Sequence, residues 1–315
     1  MSPHLRAVLQ ALLVTFIWSL SWVLIKIGLA DIPALTFAGL RYVMAFLCLL
    51  PLAWRRGDLA TLRGLSRPGW GQLILLGLIY YTITQGSQFV TLNYLPAVTF
   101  SLLLNFSAVL VALLGITFLS ERLTGQQWFG MALFFAGVLV YFYPVAIPAG
   151  QGLGYLVAAI SVSANALSSV IGRAVNRDSG LPPLAVTTVS MGAGGGVLLL
   201  AGLLTQGLPP LGWQSWLLIA WLAVVHTAFT FNLWNHTLRT LSAAESSIIN
   251  NTMLIQIALL AWLFLGESLN AQSILGLVIA AGGIFLFQFR RRQPPAGKQH
   301  SQHTAGTALP DETRS

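Results

Sequence analysis

Apolar stretches of about 17 to 25 residues, the length that crosses a hydrocarbon core of about 30 Å as a helix, follow one another almost without pause along this chain. Ten are present, over roughly 7–29, 34–53, 71–92, 97–119, 126–143, 152–172, 183–204, 213–236, 244–265 and 273–289. In lipid every backbone N–H and C=O must find its partner within the protein. The runs are too long and too continuously apolar for the alternating strands of a barrel, so each is read as a helix. The fold class that follows is an all-α integral membrane protein with ten transmembrane helices, and the lipid bilayer is its first partner. With 56% hydrophobic and only 8% charged residues, the chain lacks the polar surface to cover a soluble globule.

A formal net charge of +8 suggests nucleic acid until the charges are placed. With the N-terminus inside, the cytoplasmic segments collect Arg6, Arg55, Arg56, Arg63, Arg67, Arg122, Arg173, Arg177, Arg239, Arg290, Arg291, Arg292, Lys298 and Arg314, which is 14 of the 16 Lys and Arg. The positive-inside rule therefore orients ten spans in a cell inner (plasma) membrane with both termini cytoplasmic. The basic balance is a topology signal, and no nucleic-acid partner is implied. The exceptions are Lys26 and Arg41.

The single cysteine, Cys48, lies within the second span and has no intramolecular disulfide partner. Residues 1–30 are read as a first span rather than a cleaved leader, since no clear small-residue cleavage site follows the apolar run. Residues 1–6 are a cytoplasmic N-terminus, and 291–315, polar with adjacent prolines, a disordered cytoplasmic tail.

Sliding the chain against itself by 146 residues aligns 70–142 with 216–288 without a gap, with about 19 identities among 73 positions. They include Trp70/Trp216, Ala97/Ala243, Ser101/Ser247, Asn105/Asn251, Glu121/Glu267, Gly130/Gly276 and Gly137/Gly283. Shared apolar composition would match Leu with Leu, not Asn, Glu, Trp and Gly in one register. Each half holds five spans, an odd number, so the second half enters the membrane from the opposite side. The prediction is a five-plus-five inverted-topology repeat, in which two bundles rock about a site between them.

The segments WSLSWVLIKIG, IPALTFAGLRYVMAFLCLL, LNYLPAVTFSLLLNFSAVLVALLGITFLSERLTGQQWFGMALFFAGVLVY and AWLFLGESLNAQSILGLVIAAGGI resemble the EamA family of the drug/metabolite transporter superfamily. The likeness covers residues 7 to 290: a first EamA-like half at 7–143, an external loop at 144–151 and a second half at 152–290. It departs where such halves often carry proline early in the fourth and ninth spans, since Ser107 and Met253 stand there. The resemblance implies ten helices around a central cavity and, usually, efflux of small metabolites or drugs.

Polar residues inside a span are costly unless they face protein, a cavity or each other. Tyr81, Thr84 or Gln85, and Gln88 share one face of the third span; Ser161, Asn165 and Ser168 share one of the sixth. The eighth supplies His226 and Thr230, with Asn232, Asn235 and His236 on a neighbouring face; the fourth and ninth supply Ser101/Asn105 and Ser247/Asn251, with Asn250 beside the latter. Two readings are open: interhelical glue, or the lining of a solute cavity with Trp22, Tyr80, Tyr81 and Trp234 as flat walls. Trp22 also suits an interfacial anchor.

His226, near the middle of the eighth span, is either a proton carrier or a hydrogen-bonded structural histidine. Its spacing from His236 does not suit a metal pair, and no metal, cofactor or catalytic motif is found. Glu245 completes a capping box with Ser242 at the start of the ninth helix. Lys26 either complements the end of the first helix or guards the external mouth. Arg41, about 12 Å into the second span, is expected to pair with Asp31 or Glu267. Glu121 and Glu267 are read as interfacial latches between neighbouring helices.

The expected function is a non-enzymatic transporter that exports a small neutral or zwitterionic metabolite or drug by alternating access, with a coupling proton as one driving force and facilitated diffusion as another. The rival reading is a non-transporting membrane receptor or assembly subunit.

Overall fold

The computed structural model describes residues 2–119, 123–144, 148–237, 240–241 and 243–288, without the side chains of 115–119, 177–178, 232, 235, 243–244 and 247. Within them the secondary structure is helical, in ten long segments and one short 3-10 segment at Asp58–Gly64. The long segments are α1 (Pro3–Gly28), α2 (Ala34–Arg55), α3 (Arg67–Tyr94), α4 (97–119), α5 (Gly125–Phe142), α6 (Gly152–Asp178), α7 (Pro183–Thr205), α8 (213–237), α9 (Ala243–Leu265) and α10 (Ala271–Gln288). The first helix begins at one side of the bundle, the Pro3 face, and ends at the other, the Gly28 face.

Local chemistry sets the helix ends. Ser2 accepts the Leu5 N–H ahead of Pro3 at N1, and Ser66 accepts the Gly69 N–H ahead of α3. Thr124 and Gln127 form a reciprocal capping box at α5. Ser242, the proposed cap of α9, lies outside the described residues.

Helix pairing obeys the repeat. Contacts of α1 with α8 and α9 are matched by those of α6 with α3 and α4, and the contacts of α2 with α8 by those of α7 with α3. Two pairs, α2 with α7 and α5 with α10, join a helix to its own counterpart and so lie on the pseudo-twofold axis. At the second crossing, a Cβ added to Gly137 would sit 2.3 Å from the Ala280 backbone nitrogen, and one on Gly276 2.6 Å from that of Tyr141. Gly130 and Gly283 meet the opposing backbone equally closely. Only hydrogen fits between these backbones, which explains the matched glycines. Around them Gln126 donates to the Leu286 carbonyl at 3.2 Å and Gln272 to that of Val140 at 2.8 Å, the same bond in both halves.

Two helices carry an internal irregularity at matching positions. In α3, Leu78–Gln85 is a π-helical turn; in α8, Val224–Phe229 is another, beginning 146 residues later. The Thr84 hydroxyl donates to Ile79 O at 2.9 Å and Thr227 to Leu222 O at 3.1 Å, each reaching five residues back. Such turns widen a helix and re-aim the side chains that follow. Helix α4 is broken at Asn105, whose N–H bonds to Leu102 O and whose side-chain amide donates to Ser101 O at 2.8 Å. The break forms with Ser107 in place of proline, whereas α9 runs unbroken past Met253.

Candidate functional site

The irregular turns surround the middle of the bundle. A cavity of about 250 Å³ is lined by α1 (Trp18, Ser21, Trp22, Ile25), α2 (Arg41, Tyr42) and α3 (Tyr80, Tyr81, Gln85, Gln88, Phe89, Leu92) from the first half. Leu104 of α4 joins them, and the second half adds Asn165, His226, Thr227, Phe231 and Met253. A second cavity of about 220 Å³ shares Trp22, Leu104, Asn165 and Met253 with it, and is walled by Ser101, Asn105, Ser107, Asn250, Asn251 and Gln288. The first chamber is aromatic with a cation; the second is rich in amides.

His226 is 2% exposed and its Nδ1–H donates to the Ile17 carbonyl at 2.7 Å, which fixes the ring against α1 and leaves Nε2 as the other polar atom. Arg41 is 6% exposed. Its Nε–H donates to Thr227 Oγ1 at 3.3 Å, and its guanidinium carbon lies 5.4 Å from the Tyr42 ring centre and 6.0 Å from that of Phe89. The expected pairing with Asp31 or Glu267 does not form: Asp31 is exposed, and Glu267 is engaged elsewhere.

At the Gly28 end of the bundle, two charged side chains tie α1 and the turn after α9 to the junction of α3 and α4. Lys26 donates to the carbonyls of Leu92 and Leu95 at 2.7 and 2.5 Å, at the C-terminal end of α3. Glu267 accepts the N–H groups of Ala97 and Val98 at 2.6 and 3.0 Å, at the N-terminal end of α4. Each charge meets the helix end of opposite partial charge, and the two also attract one another. Beneath them Trp22 packs on Phe100 with ring centres 5.2 Å apart.

At the Pro3 end, His4 and Glu245 meet at 2.8 Å, joining α1 to α9. Glu121 lies outside the described residues.

The EamA-like transporter family model matches residues 5–143 and 152–289, one match for each five-helix half. The chain belongs to the EamA-like transporter family. It is a multi-pass membrane transporter for a small-molecule substrate, and its relatives are named as transporters or efflux pumps. It is 26% identical over 303 residues to the uncharacterized transporter YvbV of Bacillus subtilis, covering 93% of this chain and 95% of that one. It is 28% identical over 299 residues to a probable amino-acid metabolite efflux pump of Salmonella typhimurium, covering 90% and 95%. It is 27% identical over 292 residues to an S-adenosylmethionine/S-adenosylhomocysteine transporter of Chlamydia trachomatis serovar L2, covering 89% and 87%. A solved crystal structure shares the fold with a TM-score of 0.63 at 19% identity, over 90% of this chain and 97% of that one.

In this EamA-like transporter the polar seam read from the sequence divides. Trp22, Tyr81, Gln85, Gln88, Asn165 and His226 line the first chamber; Ser101, Asn105 and Asn251 line the second. The hydroxyls of Thr84 and Ser168 turn instead to carbonyls of their own helices, and Ser161 to that of Thr84 at 3.4 Å. Thr230 accepts the Trp18 indole N–H at 2.9 Å. Trp234 stacks on Trp18 outside both chambers. The side chains of Asn232, Asn235 and Ser247 lie outside the described residues.

Sequence reasoning missed Trp18, Thr227, Phe231 and Gln288. Two signals pointed to the first three. Trp18, Ser21, Trp22 and Ile25 have one-face spacing, and Thr227 and Phe231 are the 146-residue partners of Tyr81 and Gln85.

Proposed function

We propose that this transporter exports a small neutral or zwitterionic, partly apolar solute by alternating access, from an inner membrane in which the Pro3 face is cytoplasmic. The observation that carries this reading is a pair of adjoining chambers walled by both halves of the repeat, with Lys26 and Glu267 tying helices together at the Gly28 face. In the exporter orientation the Gly28 face is external. Solute enters from the amide-rich chamber, lodges among the aromatic rings, and leaves when the ties on the turn between α3 and α4 release.

Two relatives named for an amino-acid metabolite and for S-adenosylmethionine/S-adenosylhomocysteine support a small metabolite as cargo. Residues 144–151 are then an external loop, and 1–6 and 291–315 cytoplasmic termini. The driving force is either the solute's own gradient or a proton carried by His226 or Glu245.

The test is counterflow into proteoliposomes with amino acids, purines, sugars and cationic drugs. Saturable flux of at least one solute is expected, and a pH gradient imposed on the same vesicles separates proton coupling from facilitated diffusion. A folded, correctly inserted protein that moves none of them would favour the receptor or assembly-subunit reading.

A further inference from the structure

We infer that Arg41 is the anchor for a carboxylate on the transported solute, so that the cargo is a small zwitterion with one carboxylate and an apolar body. This inference rests on the reading of the aromatic chamber as the solute site.

A guanidinium carries five N–H donors in a rigid fork matched to a carboxylate. That of Arg41 is buried about seven residues into α2, roughly 10 Å along the helix from its start. Among the described residues its hydrogen bonding is limited to one side-chain hydroxyl, Thr227 Oγ1, made through Nε. The ring faces of Tyr42 and Phe89 offset part of the cost of the buried charge but accept no fork.

The described carboxylates are committed elsewhere or remote: Glu267 holds the start of α4, Glu245 meets His4, Asp31 is exposed and Asp58 lies between α2 and α3. A buried, incompletely paired cation at membrane depth, opening on a cavity, calls for an anion that arrives and departs. The indole and phenol walls from Trp18, Trp22, Tyr80 and Tyr81 suit the apolar body, and a volume of about 250 Å³ holds one small molecule rather than a nucleotide or oligosaccharide. The solute's cationic group meets aromatic faces rather than a fixed carboxylate.

The test uses matched pairs that differ only in charge: phenylacetate and phenylacetamide, isovalerate and isovaleramide, nicotinate and nicotinamide, with L-phenylalanine and L-leucine alongside. Binding to the purified full-length protein is read from tryptophan fluorescence, since two tryptophans line the chamber. At least one acid is expected to bind tenfold or more tightly than its amide. Arg41→Gln should bring each pair within about twofold by weakening the acid alone. Arg41→Lys keeps the charge but not the fork, and should fall between.

Should Arg41→Gln fail to give a monodisperse protein, Arg41→Lys and Thr227→Val carry the test, each expected to reduce the acid-to-amide ratio at least threefold. Amides that match their acids throughout the wild-type panel, or a ratio that survives these substitutions, would overturn the inference. Counterflow of the same probes is scored separately. Acid-selective binding without flux leaves the anchor standing and removes the carrier reading, whereas saturable flux with no acid preference does the reverse.

Discussion

The carboxylate of Glu267, in the turn between α9 and α10, accepts the backbone N–H of Ala97 at 2.6 Å and so caps a helix 170 residues away in sequence. With Val98 supplying the second N–H, one carboxylate satisfies two of the donors that the start of α4 leaves without an intrahelical partner. The same residue lies just past the end of α9, where its own helix dipole disfavours it, and the start of α4 compensates. Glu267→Gln keeps one acceptor and loses the charge. It should cost about 1.5 to 3 kcal/mol, read as a lower melting temperature in detergent, while Asp31→Asn at an exposed position should change stability by less than about 0.5 kcal/mol.

Because Glu267 and Arg41 share no partner, the double variant Arg41→Gln/Glu267→Gln should equal the sum of the singles within about 0.5 kcal/mol. A coupling larger than that would mean that the two charges do interact.

Lys26 holds the other side of the same turn. Lys26→Met removes the donor from the carbonyls of Leu92 and Leu95 and should loosen the Gly28 face. In a Cys48→Ser background, a cysteine placed at Ser21 in the chamber wall should react faster with a membrane-impermeant maleimide added from that face when Lys26 is Met. Equal labelling rates would show that the lysine is not part of the closure.

The crossing of α5 and α10 tolerates no side chain. Gly137→Ala places a methyl 2.3 Å from the Ala280 backbone nitrogen and should destabilise by about 1 to 3 kcal/mol or more. Gly282→Ala, with nothing within 4 Å of the new atom, should be neutral or slightly stabilising, by up to about 1 kcal/mol from helix propensity. Thermal melts of the two variants side by side check the contrast.

Thr230 acts through Trp18 rather than on solute. Thr230→Val and Trp18→Phe each remove the 2.9 Å indole hydrogen bond, so their stability effects should overlap with a coupling of about 0.5 to 1.5 kcal/mol. Thr230→Val, which only frees a wall residue, should raise the concentration for half-maximal flux less than Gln88→Leu, which alters the chamber wall itself. Flux curves for the two variants separate the roles.

Much of this protein is legible in one dimension. Hydrophobic runs of membrane length identify ten helices, since lipid leaves the backbone no other arrangement. A 146-residue register between halves of five spans requires inversion, since an odd number of crossings reverses direction. The matched glycines at 130, 137, 276 and 283 and the glutamines at 126 and 272 are written in the sequence before their contacts are known. The seam was legible in part: longer side chains such as Gln85, Gln88 and Asn165 do reach a chamber, but the hydroxyls of Thr84 and Ser168 are short enough to fold back on a helix carbonyl.

What the tertiary structure decided is who meets whom. Depth along a helix follows from counting residues, but the direction a side chain faces depends on helix rotation. In α3 and α8 two π turns alter that rotation, and hydropathy does not mark them. So Arg41, expected opposite a carboxylate, lies against Thr227 and two rings, and Glu267 caps α4 instead. The sequence by itself determined the number of spans, their inversion and the residues too polar to face lipid. Packing alone chose their partners, because most of them lie from about sixty to about two hundred residues away and meet only when the helices pack together.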